Sequence, residues 1–125
     1  MPVRSAAVIG FSGELGAGKT TLVQGLGKQL GVKEKIKSPT FVLMKTYKLY
    51  CRKKIPWQNL THIDAYRLET KGEIERLMPR DIFKNPENLV FIEWAEKIKQ
   101  ILPKNTLWIE LKHGGKTHRR ILIKK

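Results

Sequence analysis

Apolar and polar positions change their spacing several times along the chain, and each change marks an element. Ala6-Ala7-Val8-Ile9-Gly10-Phe11 is a short apolar run without alternation, the pattern of a strand buried on both faces. From Thr20 to Leu30 the spacing lengthens. Leu22, Leu26 and Leu30 recur at i, i+4 and i+8 on one helical face, and Gly31 supplies the stop. Phe41 to Tyr50 reads as a strand, alternating in its second half. After the charged connection Arg52-Lys53-Lys54-Ile55-Pro56, Leu60 to Tyr66 reads as the returning strand. Glu69 to Met78 carries Ile74, Leu77 and Met78 on a helical face and ends at Pro79. Arg80 to Asn88 is irregular. Leu89-Val90-Phe91-Ile92 is a second buried strand, and Ala95 to Leu102 a short helix closed by Pro103. Thr106 to Leu111 and Arg120 to Ile123 are strands around His113-Gly114-Gly115-Lys116, where Gly-Gly signals a hairpin.

Between the first strand and the first helix lies Gly13-Glu14-Leu15-Gly16-Ala17-Gly18-Lys19-Thr20, which fits the phosphate-loop pattern G-x-x-x-x-G-K-[ST] at every fixed position. A phosphate chain needs several donors converging on one point. Glycines let the backbone curl so that its N–H groups face inward. The helix that follows turns its positive N-terminus to the same place. Lys19 then reaches the β- and γ-phosphates, and the Thr20 hydroxyl ligates Mg²⁺. Strand, glycine loop and helix in that order predict an α/β, P-loop NTPase-like fold in three layers. Its sheet is mixed, with antiparallel hairpins after the first helix and at the C-terminus.

Three further stretches offer chemistry, each with a plainer reading beside it. Ser38-Pro39-Thr40-Phe41 is either an ordinary turn or a switch-like loop that brings the Thr40 hydroxyl to a γ-phosphate. Asp64, at the end of its strand, either pairs with Arg67 at the surface or orients an attacking water. Glu93 follows four apolar residues at the end of a buried strand, where a phosphate-loop enzyme keeps its metal carboxylate. The plainer reading, a pair with a surface lysine, fits that setting less well. His62, His113 and His118 have no partner at zinc-ligand spacing, so no zinc site is expected.

Bulk properties narrow the class. The chain has 125 residues and reads as a single domain. Its one cysteine, Cys51, excludes an internal disulfide and suits a reducing cytoplasm. No apolar run approaches the ~18–20 residues of a membrane span, and Met1 to Ser5 does not resemble a secretion leader. The formal charge of +14 attracts polyanions at long range. Lysines spread along the whole chain suit a solvated surface. Denser groups at Lys45 to Lys54 and Lys116 to Lys125 suit proximity to tRNA or another RNA.

Gly-Glu-Leu-Gly-Ala-Gly-Lys-Thr-Thr, Ser-Pro-Thr-Phe, His-Ile-Asp-Ala-Tyr-Arg-Leu and Ile-Glu-Trp-Ala-Glu stand in one order. Together they closely resemble the TsaE (YjeE-type) family, the small bacterial ATPase of tRNA N6-threonylcarbamoyladenosine modification. The resemblance runs from about Val8 to the last strand. It implies that Gly13, Glu14, Leu15, Gly16, Ala17, Gly18, Lys19, Thr20 and Thr21 hold the phosphates of ATP, and that Thr20 and Glu93 bind Mg²⁺. It implies that Thr40 sits near the γ-phosphate, that Asp64 positions water or supports the metal, that Trp94 shapes the site wall, and that Arg119 lies near the nucleotide. The implied partners are TsaB and TsaD proteins, acting with TsaC-type chemistry on tRNA. ATP hydrolysis there resets the complex and is slow without partners. Two departures stand out. Relatives usually carry a further helix before the first strand, and often proline where this chain has Ala95. A small-molecule kinase and a nucleotide-gated RNA- or protein-binding module without useful hydrolysis are the alternatives.

Overall fold

The computed structural model describes residues 5–13, 19–36, 44–51, 53–66, 68, 70, 72–73, 76, 80–113 and 119–124, the side chains of 80, 113 and 119 excepted. In chain order these hold β1 (Ala7–Gly13), α1 (Lys19–Gln29), β2 (Met44–Lys48), β3 (Asn59–Asp64), a 3-10 helix at Arg80–Phe83, β4 (Asn88–Glu93), a second 3-10 helix at Ala95–Ile101, β5 (Leu107–His113) and β6 (Arg119–Lys124). The six strands form one sheet in the order β2-β3-β4-β1-β5-β6. The central four run parallel, and β2 and β6 close the two edges antiparallel. The predicted mixed α/β sheet with antiparallel pairs after the first helix and at the C-terminus is therefore the observed one.

Burial follows from the central position of β4 and β1. All six residues of β4 are buried, as a strand covered on both faces requires. On one face Val8, Ile63, Val90 and Ile92 pack against Ala95 and Ile98. On the other Phe11, Leu60, Leu89, Phe91 and Ile109 pack with Val23 of α1. Phe11 and Phe91 meet edge to face with ring centres 5.4 Å apart, a favourable aromatic geometry. A short polar chain crosses the sheet as well: Thr46 meets the Thr61 hydroxyl at 3.1 Å, Thr61 donates to Asn88 Oδ1 at 2.9 Å, and Asn88 donates to the Ile82 carbonyl at 3.1 Å.

Several elements differ from their predicted form. The leucine stripe of α1 is only half-buried, and the buried face runs one position later, through Lys19, Val23 and Gly27. Gly27 explains the shift. A Cβ there would lie 2.2 Å from Ile36 Cδ1, so the missing side chain lets the following connection pack onto the helix. Residues 95–101 form 3-10 turns, not an α-helix, with a break at Ile98 (φ −123°, ψ 24°). That break turns both Ala95 and Ile98 into the core. Arg80–Phe83, read as irregular, is a 3-10 turn whose Phe83 carbonyl accepts the Ala6 N–H at 3.0 Å. The helix expected over Glu69–Met78 falls largely outside the described residues. Its start is visible where the Thr70 hydroxyl accepts the Glu73 N–H at 3.1 Å, a helix cap. Phe41 to Leu43 and the Gly114-Gly115 turn also lie outside them. No described helix is long and apolar enough to cross a membrane.

Gly25 is exposed in mid-helix, and a Cβ added there meets nothing within 4 Å. Gly25→Ala is expected to stabilise the fold by about 1 kcal/mol and to raise Tm by about 2–6 °C. Gly27→Ala has the same helix-propensity gain but must displace buried Ile36, so it should melt below Gly25→Ala. Thermal unfolding followed by circular dichroism checks both.

Candidate functional site

The site forms where β1, β3 and β4 end side by side. β1 ends at Gly13, whose φ of +137° lies in a region that L side chains rarely adopt, and a Cβ there would be 2.3 Å from the Leu111 carbonyl oxygen. No other residue fits that turn. The chain leaves the sheet at Gly13 and re-enters described structure at Lys19, the first residue of α1. Lys19 Nζ donates to the Gly13 carbonyl at 2.8 Å, so the two ends of the phosphate-loop motif are tied together. The same ammonium sits 3.2 Å from the centre of the Trp94 ring, a cation–π contact. Lys19 is buried, and loss of water pulls its pKa below the ordinary lysine value. The carboxylates of Glu96, Glu93 and Asp64 oppose that shift in part.

Glu93 stands at the centre. It ends β4 and is 2% exposed. Thr20 donates its hydroxyl to Glu93 Oε1 at 2.6 Å, which joins the first turn of α1 to the sheet. On the other oxygen, His62 Nε2 meets Oε2 at 2.6 Å. A carboxylate has no hydrogen to give, so Nε2 donates. Burial alone would raise the Glu93 pKa. The hydrogen bonds from His62 and Thr20, with the charge of Lys19, outweigh it and hold the carboxyl below its ordinary value.

Asp64 ends β3 directly opposite Glu93 in the parallel register. Its Oδ1 accepts the Tyr66 N–H at 3.0 Å. Here burial wins, and the pKa rises above the ordinary aspartate value. The Tyr66 N–H works against the rise, and the neighbouring Glu93 adds to it. The two carboxylates are thus tuned in opposite directions by their surroundings. Trp94 follows Glu93 with φ 59° and ψ 38°, a left-handed conformation. Its ring lies 5.1 Å from that of Tyr66, and Lys97 donates to the Tyr66 carbonyl.

The structure brings Gly13, Lys19, Thr20, Asp64, Glu93 and Trp94 to one place. Thr21 is exposed on the first turn of α1. Glu14, Leu15, Gly16, Ala17, Gly18 and Thr40 lie outside the described residues. Arg119 opens β6, paired with His113 at the edge of the sheet, and its side chain is likewise outside them. Ala95 is fully buried where it meets Gly10. His62 is the residue that the motif reading passed over. The signal was there: a polar residue in mid-strand between apolar neighbours, two positions before Asp64 and so on the same face.

A scan against family models matches residues 2–121 to "Threonylcarbamoyl adenosine biosynthesis protein TsaE". Among similar proteins is the tRNA threonylcarbamoyladenosine biosynthesis protein TsaE of Haemophilus influenzae, 36% identical over 85% of this chain and 63% of its own length. Its namesake in Synechocystis is 42% identical over 75% and 57%. That of Bacillus subtilis is 35% identical over 91% and 66%. The chain thus spans less than two thirds of each of these relatives. Among solved structures, Bacillus subtilis YdiB superposes with a TM-score of 0.61 at 29% identity, over 94% of this chain and 66% of that one.

The opposed carboxylate shifts predict a pH dependence. The folded state holds the Asp64 proton longer than the unfolded chain does. Stability is therefore lost as pH rises from the ordinary value of 3.8 through the raised folded value. Asp64→Asn should melt above wild type at pH 7, and the gain should vanish below pH 3.8. Glu93 is lowered, so its contribution is full above 4.5 and is lost as pH falls through the folded value. Glu93→Gln should melt below wild type at pH 7. Melting curves of the three proteins between pH 3 and pH 8 provide the check.

Proposed function

The chain belongs to the TsaE family, and from that premise we propose that it is a Mg²⁺-dependent ATPase acting with partner proteins in N6-threonylcarbamoyladenosine modification of tRNA. ATP hydrolysis resets that assembly between turnovers. The observation that carries this reading is the bond from Thr20 at the helix N-terminus to Glu93 at the end of β4, with the Lys19 ammonium beside it. That places a cation, a helix N-terminus and a metal-competent oxygen pair around one point, as a triphosphate with its counter-ion requires.

The donor set suits Mg²⁺. Thr20, Glu93 and Asp64 present hard oxygens, and Mg²⁺ takes one or two carboxylates together with substrate phosphates. Among the described residues no group of three or more His, Cys, Asp or Glu side chains is set to hold a metal unaided. When bound, Mg²⁺ would be held by Thr20 and Glu93 and would supply charge neutralisation at the phosphates.

The chain's own residues supply the rest. Lys19 exchanges the neutral Gly13 carbonyl for an anionic phosphate oxygen, a stronger acceptor. The Thr20 hydroxyl donates to Glu93, which would keep the two metal-holding groups together. Asp64, half-buried and beside Glu93, orients the attacking water. The Trp94 ring, tilted against that of Tyr66, forms the wall over Lys19. The partners are TsaD- and TsaB-type proteins in the cytoplasm, and turnover alone is slow because they complete the site. The +14 charge favours a place near tRNA.

Lys19→Ala is expected to weaken ATP binding by at least about 100-fold and to remove phosphate release with it. Phosphate release with MgATP, with and without the partner pair, measures this directly. An unchanged Lys19→Ala protein would overturn the reading. ATP consumed into a phosphorylated acceptor would mark a kinase, and nucleotide binding with no turnover even beside partners would mark a binding module.

A further inference from the structure

We propose that His62 is a positioning residue that sets the Glu93 carboxylate for metal binding. The inference rests on the MgATP reading above and concerns how this chain meets that ion. His62 sits in the middle of β3 and is 0% exposed. It shares a sheet face with Asp64 and with Leu60, whose other neighbours there are Leu89 and Phe91. A purely structural role would be filled better by an apolar residue, as at Leu60. An imidazole buried among apolar groups is justified only by the bond it makes.

That bond has a particular geometry. Glu93 receives one donor on each oxygen: Thr20 on Oε1 and His62 on Oε2, both at 2.6 Å. Two donors on opposite oxygens fix the plane of a carboxylate, which one donor cannot do. The need is greater here because the metal carboxylate is a glutamate. The usual aspartate at this place in phosphate-loop enzymes has one torsion fewer to hold. His62 reaches from the neighbouring parallel strand, so the tether is as rigid as the sheet. His62 Nδ1 has no partner among the described residues. Among the described residues the ring's hydrogen bond is therefore the one to Glu93. A donor that orients a metal-binding carboxylate in this way commonly changes metal affinity by about 10–100-fold.

The test separates donor position from buried polarity. In His62→Gln the amide nitrogen falls near the place of Nε2 and can still donate to Glu93. In His62→Asn it falls near Nδ1 and stops short. Both variants bury one uncharged amide. Binding of a non-hydrolysable ATP analogue is measured by calorimetry across a MgCl₂ titration and again in EDTA, with melting temperatures recorded alongside. In wild type, Mg²⁺ should tighten the analogue. His62→Asn should need about tenfold or more Mg²⁺ for the same tightening, while the affinity in EDTA moves far less. His62→Gln should restore the Mg²⁺ response to within about threefold of wild type. Wild-type tightening in His62→Asn, or equal loss in both variants, overturns the role of His62 alone. Absence of any Mg²⁺ effect in wild type removes the MgATP reading and this inference together.

Discussion

One carboxylate ties α1, β3 and β4 together. Glu93 ends the most buried strand, accepts the first-turn hydroxyl of α1, and accepts the imidazole of β3. Each of those bonds joins elements distant in sequence: Thr20 is 73 positions away and His62 is 31. A buried carboxylate is tolerated only when its oxygens are satisfied. The fold therefore depends on the same contacts that make the site. Placing β4 between β1 and β3 is what allows it, since a strand in the middle can be reached from both neighbours at once.

The charges around Glu93 are held in mutual tension. Lys19 and Asp64 are both displaced by burial toward their neutral forms, and Glu93 is held ionised by its donors. Water would relax the first two. A ligand carrying opposite charges in the right places relaxes them as well, and does so at the site alone. Groups that are mildly unstable before binding and well matched after it give binding energy a direction.

Much of this was legible in the residues. The eight-residue loop pattern located the strand before it and the helix after it, and apolar runs located β1 and β4 because strands buried on both faces need no alternation. Glu93 stood out by contrast with the four apolar residues before it. What escaped detection depended on contacts between distant positions. The buried face of α1 moved off the leucine stripe because Gly27 admits Ile36 from the next connection, which helix periodicity alone cannot show. The 95–101 segment had a helical composition, yet the turn at Trp94 and the break at Ile98 wind it as 3-10 so that Ala95 and Ile98 reach the core. His62 was invisible as a partner of Glu93 because nothing local says that β3 lies beside β4.

Trp94 carries a consequence of its own. A left-handed backbone costs a residue with a side chain about 1–2 kcal/mol, and Trp94 holds that conformation at φ 59°. Glycine would sit there without strain, yet it would leave the lysine's ammonium without its aromatic floor. A library screened only for heat resistance would drift toward glycine at position 94, and one screened for an intact contact with Lys19 would keep the indole. At this codon the two pressures point in opposite directions.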